Sequence, residues 1–140
     1  MAARRGDRAV QEPTAGGGQE PPPAPGLETR NEVSLVGRVA AAAVERTLPS
    51  GDVIATWRLV VDRPPTRRPT PEGTRQVSVD TLDCVAWGAG ARRTARGLAA
   101  GDVVSVEGAL RRRFWRAGAA TASRCEVEVK TLKRLARAPG

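Results

Sequence analysis

Apolar and polar side chains alternate with period two in several separate stretches of this chain, the pattern of half-buried β-strands. The clearest is "VIATWRLVVD". There Val53, Ala55, Trp57, Leu59 and Val61 form one wholly apolar face, and Ile54, Thr56, Arg58, Val60 and Asp62 form a mixed one. In "NEVSLVGRV", Val33, Leu35 and Val39 share a face with Gly37 between them, while Glu32, Ser34 and Arg38 take the other. "VSVDTLDCVAWG" sets Leu82, Cys84 and Ala86 against Thr81, Asp83, Val85 and Trp87. "VVSVEGALRRRFW" supplies a fourth strand. "TASRCEVEVK" supplies a fifth, in which Cys125, Val127 and Val129 alternate with Arg124, Glu126 and Glu128.

Between these runs the chain is punctuated. Pro49, Ser50 and Gly51 read as a turn, and so does Gly101-Asp102. "AGARRTARGLAA", short and Ala-rich, is the one plausible helix. The order is strand, strand, strand, short helix, strand, strand. This predicts an all-β chain with a five-stranded OB-fold barrel, one helix lying between strands 3 and 4. A length of 140 residues fits one domain. Residues 1–30 include "TAGGGQEPPPAPG" and lack apolar periodicity, so they are expected to form a disordered Gly/Pro-rich extension. The barrel is expected over 31–135, followed by a short basic end at 136–140.

Charge points to the class of partner. The chain carries 23 basic and 15 acidic side chains, for a net +8. Residues 1–30 hold four of each, which leaves 19 basic against 11 acidic residues in 31–140. A basic folded part beside a neutral extension suits a polyanion. The competing source of this excess is composition, because an Ala-, Gly-, Arg- and Pro-rich chain is also what a GC-rich genome encodes.

Several classes are disfavoured. There is no histidine and no C-x-x-C pair, which argues against a zinc site. No G-x-x-x-x-G-K loop is present and no acidic cluster has metal-ligand spacing, so no enzyme, metal or cofactor is expected. Cys84 and Cys125 are expected as free, buried thiols of a reducing cytosol. No run of apolar residues is long enough to span a membrane, and "MAARRGDRAV" lacks the apolar segment of a secretory leader, so an intracellular, cytoplasmic location is expected.

The arrangement of the cations is more specific than their number. In "ALRRRFW", Leu110, Arg112 and Phe114 continue the face of Val104 and Val106. Ala109, Arg111, Arg113 and Trp115 share the opposite one. Two arginines and a ring at alternate positions match phosphate and base. Leu110 is expected to point inward. By the same parity Trp57 belongs to the core and Arg58 to the outer face, with Arg38 outward on the first strand. "RPPTRRPTPEGTR" places Arg63, Arg67, Arg68 and Arg75 against Glu72 alone. It is too Pro-rich to pair in a sheet and reads as a flexible cationic arm.

Two motifs carry a family resemblance. They are the N-x-V-x-L-V-G start (Asn31, Val33, Leu35, Val36, Gly37) and the G-x-x-V-x-V-x-G-x-L-R run from Gly101 to Arg111. In frame with this strand order, over roughly Asn31 to Leu135, the chain resembles the bacterial single-stranded DNA-binding protein family. That resemblance implies a homo-oligomer, most often a tetramer. It also implies sequence-tolerant binding and protection of single strands in replication, recombination or repair. Trp87 and Trp115 fall on positions that are aromatic in the family and face DNA. Two further aromatic positions are lost, one at Thr81 and one near Pro65, and Asp83 brings an acid to the binding face.

The expected DNA-binding set is Trp87, Trp115, Arg111, Arg113, Arg58, Arg38, Arg63 and Arg75. The acidic C-terminal tip that recruits replication and repair proteins in typical members has no counterpart in "KTLKRLARAPG". The chain therefore resembles a specialised paralogue. Two other readings stand beside DNA binding. One is an OB-fold interaction or structural subunit that has drifted from DNA, and the other is a single-stranded RNA binder.

Overall fold

Six strands close a barrel that has five strand positions. In the computed structural model, which describes residues 20–22, 26–65, 73 and 77–139, β1 (Val33–Val39) and β2 (Val44–Thr47) lie end to end along the same edge of β3 (Val53–Asp62). The opposite edge of β3 pairs antiparallel with β4 (Val79–Ala86). β4 runs parallel to β6 (Ala120–Ala136), β6 neighbours β5 (Val103–Ala117), and β5 returns antiparallel to β1. One helix, α1 (Ala89–Arg96), lies between β4 and β5 in the chain. This is the OB-fold expected from the strand order.

The inward faces match the alternation read from sequence. Val39, Ala55, Trp57, Leu59, Cys84, Ala86, Val104, Val106, Val127 and Val129 are all buried in one cluster, joined by Ala91 and Ala95 of α1 and by Leu98 and Leu132. Barrel closure depends on Gly37, where a Cβ would collide with the carbonyl oxygen of Val60 on β3. Gly108 plays the same part between β5 and β6, because a Cβ there would meet the backbone carbonyl of Glu128. Neither position tolerates a side chain without moving a strand.

The turn before β5 is fastened through Asp102, whose side chain is buried. Its carboxylate accepts backbone N–H bonds from Ala99 at 2.9 Å and Ala138 at 2.8 Å, and Arg134 lies 3.5 Å away. Those two backbone donors, helped by Arg134, hold its carboxyl below the ordinary aspartate range. The end of β6 is thus tied to the start of β5.

Three expectations need correcting. First, β2 adds a short strand ahead of the expected turn that the five periodic runs did not include. All four of its residues are exposed, so it has no apolar periodicity to reveal it, and it is held by backbone pairing to β3. The turn at Pro49–Gly51 joins the two, with Gly51 at φ +93°. Second, Leu110 is not in the core: it is 49% exposed. The core cluster claims no β5 residue beyond Val106, so Leu110 lies past the buried stretch of its strand. Third, the two thiols differ. Cys84 is buried and its pKa is pushed up to about 12, chiefly by burial. Cys125 is exposed, because it sits beyond the buried Val127–Val129 segment of β6.

The chain divides into two compact units, residues 31–113 with 125–140 and residues 1–30 with 114–124. The first contains the barrel. The second contains the turn end of the β5–β6 hairpin. Residues 1–19 and 23–25 of the expected extension lie outside the described residues, as does most of the Arg63–Arg75 loop.

Candidate nucleic-acid interface

Four strands of the barrel present one outward surface. Outward parity on β3 gives Ile54, Thr56 and Arg58, and on β4 gives Asp83 and Val85. On β6 it gives Glu126 and Glu128, which alternate with buried Val127 and Val129. On β5 it gives Ala109, Arg111 and Arg113. Ile54, Val85 and Ala109 are buried yet stand outside the core cluster, so they form a small apolar floor on this side of the sheet.

The charges over that floor are ordered by strand. Acids occupy the two central strands. Val85 pairs with Glu128 in the parallel β4–β6 ladder, and Cys84 with Val127. Asp83 and Glu126 each stand one residue before that last pair, which brings two carboxylates together. Arginines occupy the flanks. Arg58 on β3 is the direct cross-strand partner of Asp83, at 3.3 Å. Arg111 on β5 reaches Glu128 at 2.9 Å, and Arg113 reaches Glu126 at 3.6 Å. Each such pair contributes little to stability, because the arginines are about half exposed and water screens them. Their main effect is to fix the guanidinium groups in place and cancel much of their field.

The remaining expected cations follow the same rule. Arg38 lies 3.2 Å from Asp62. Arg63 makes a two-toothed contact with Asp80, with a shortest distance of 2.8 Å. That hydrogen bonding holds the Asp80 carboxyl below its usual range. All five described arginines of the expected set are thus ion-paired, and Arg75 lies outside the described residues. Sequence reading found the arginines and missed their partners. The alternation of Glu126 and Glu128 with valines was visible, but which strand would face them was not.

The tryptophans separate as parity predicts. Trp57 is buried, and its indole Nε1 has no hydrogen-bond partner. Trp87 leaves the end of β4 and is 44% exposed, and its carbonyl accepts a hydrogen bond from Arg92 Nε of α1 at 3.0 Å. A ring at the end of β4, on a backbone pinned to the helix, is available for stacking.

The turn end of the hairpin, described by itself, carries Phe114, Trp115, Arg116 and Arg124 around the turn at Gly118, where φ is +66°. Phe114 and Trp115 are 36% and 38% exposed. The Arg124 guanidinium lies over the Trp115 ring, 5.7 Å from its centroid, a cation–π arrangement. The eleven residues from Phe114 to Arg124 include no Asp or Glu.

Among the described residues no group of His, Cys, Asp and Glu is placed to hold a metal ion, and no helix is long and apolar enough to cross a membrane.

Comparison with known proteins meets this geometry. Residues 30–135 match the Single-strand binding protein family. Single-stranded DNA-binding protein 3 of Listeria innocua is 32% identical over 83 residues, which is 59% of this chain and 49% of that protein. Single-stranded DNA-binding protein A of Bacillus subtilis is 35% identical over 83 residues, 59% of this chain and 45% of that protein. The matched region thus spans about half the length of these curated relatives. Among solved structures, a Plasmodium falciparum SSB in complex with ssDNA superposes with a TM-score of 0.65 at 22% identity, covering 78% of this chain and 97% of the other. At that identity the likeness shows the shared fold.

Proposed function

Because the chain belongs to the Single-strand binding protein family, we propose that it binds and protects single-stranded DNA without regard to sequence. It acts without catalysis, in replication, recombination or repair, as a cytoplasmic, nucleoid-associated homo-oligomer. The observation that carries this reading is an outward barrel face flanked by Arg58, Arg111 and Arg113, with exposed Trp87 at the end of β4. Guanidinium groups neutralise phosphates, and Trp87 and Trp115 stack on bases. Every base has a π-face, so stacking is indifferent to sequence. Arg38, Arg63 and Arg75 extend the cationic path, and residues 31–135 are the binding domain.

The test is anisotropy of a labelled oligo-dT mixed with protein whose mass in solution has been measured. Unlabelled DNA, RNA and duplex DNA serve as competitors. Saturable binding displaced best by single-stranded DNA supports the proposal, and preferential displacement by RNA moves the assignment to RNA.

One observation favours a second reading. With every described arginine of the expected set paired to a carboxylate, the barrel face suits an OB-fold subunit that has drifted toward a structural role. An oligomer that leaves oligo-dT unbound at low salt would select it.

A further inference from the structure

The three carboxylates of the barrel face stand where a phosphate chain would have to stand to meet its arginines. Asp83, Glu126 and Glu128 lie on the two central strands, and Arg58, Arg111 and Arg113 reach inward to them from both sides at 2.9–3.6 Å. We infer that Asp83, Glu126 and Glu128 act as a built-in competitor for the DNA backbone and thereby set its affinity. This rests on the proposed single-stranded DNA binding and names the residues that tune it.

The physical consequence is an exchange. An arginine that moves from a carboxylate to a phosphate displaces that phosphate's counterion. The carboxylate left behind then takes up a counterion of its own. Net ion release at such an arginine is close to zero, whereas an arginine without a competing acid releases one ion at about 0.7 per phosphate on a single strand. Affinity on this face is therefore lower, and less dependent on salt, than the number of arginines implies. The side-by-side placement of Asp83 and Glu126 adds to the effect, because two neighbouring acids both lose their cations when DNA arrives.

The test uses the full chain with the double variant Glu126→Gln/Glu128→Gln, which keeps the size of both side chains while removing their charge and turning one acceptor oxygen into an amide donor. Oligo-dT affinity is measured from 50 mM to 300 mM salt and each protein is checked by thermal melting. The account expects affinity at low salt to rise about tenfold, from two pairs each worth a few-fold. It expects the slope of log affinity against log salt to steepen by about 1.4, or 0.7 for each released arginine.

Glu45→Gln is the control. Glu45 pairs with Arg96 between β2 and α1 at 2.9 Å, off this face, so losing it changes net charge without freeing an arginine of the binding surface. An equal gain in Glu45→Gln would reduce the effect to net charge and overturn the inference. Unchanged or weakened binding in the double variant overturns it too. If the double variant fails to fold, Asp83→Asn on β4 asks the same question of Arg58, with a slope change of about 0.7. Absence of oligo-dT binding by every protein, wild type included, counts against the functional assignment itself. Binding by the wild type with an unaltered slope in the variants counts against the competitor alone.

Discussion

The arginines of the barrel face and those of the hairpin turn differ in the partners that their own strands supply. On the barrel, Arg58, Arg111 and Arg113 are each held by a carboxylate from a neighbouring strand. The segment from Phe114 to Arg124 contributes no carboxylate of its own, and Arg124 lies over the ring of Trp115. The same residue type thus has two roles within one hairpin. In the first setting it orders a surface and gives up much of its field. In the second it lies over an aromatic ring, the pairing that suits a stacked base and its phosphate. The barrel face pairs its cations with acids of its own, and the hairpin turn sets rings beside cations and brings no acid from its own segment.

The largest effect is expected where a substitution disturbs the geometry of the barrel. Gly108→Ala forces a Cβ against the Glu128 carbonyl and should destabilise the fold by roughly 1–3 kcal/mol or more, read as a fall in the urea midpoint. The turn end of the hairpin should behave in the reverse sense. Trp115→Ala is expected to weaken oligo-dT binding by about 1–3 kcal/mol while leaving the urea midpoint unchanged, and an unaltered affinity removes that ring from the site.

Single arginine deletions sharpen the contrast. Arg116→Ala should lower the salt slope by about 0.7. Arg111→Ala should leave the slope nearly unchanged, because its loss also abandons Glu128. Equal slopes for the two variants would erase the difference between the regions.

Acid tests the barrel alone. The folded Asp102 carboxyl titrates below its unfolded value, so its contribution is complete above the ordinary aspartate range and disappears as pH falls through the depressed value. Melts between pH 6 and pH 2 should show a shallower acid decline for Asp102→Asn, from a lower plateau. The smallest effect is expected at Trp57→Phe. It removes the unpartnered buried N–H while losing some packing, so the two terms offset to within roughly 1 kcal/mol.

Much of this architecture was legible in the sequence, for a physical reason. β3 and β4 each turn one face into the core cluster, and that packing writes period two into the residues, so Trp57 could be assigned inward and Arg58 outward by position. β2 left no such trace, because all its residues are exposed and backbone hydrogen bonds are indifferent to side chains. Leu110 misled because alternation states which face a residue takes and not how far along the strand the core extends. Cys125 misled in the same way. The ion pairs were illegible because Arg58 meets Asp83 and Arg111 meets Glu128 only after distant strands are set side by side. A sequence displays its charges in order along the chain, and neutralisation is decided across it.

Titration of tryptophan fluorescence with oligo-dT at several salt concentrations shows whether the exposed rings stack on single-stranded DNA. Trp57 is buried, so a change reports Trp87 and Trp115, the two exposed rings. The account predicts saturable quenching at low salt, with an affinity that falls as salt rises, along a slope smaller than the number of arginines implies. Absence of quenching at low salt would contradict it.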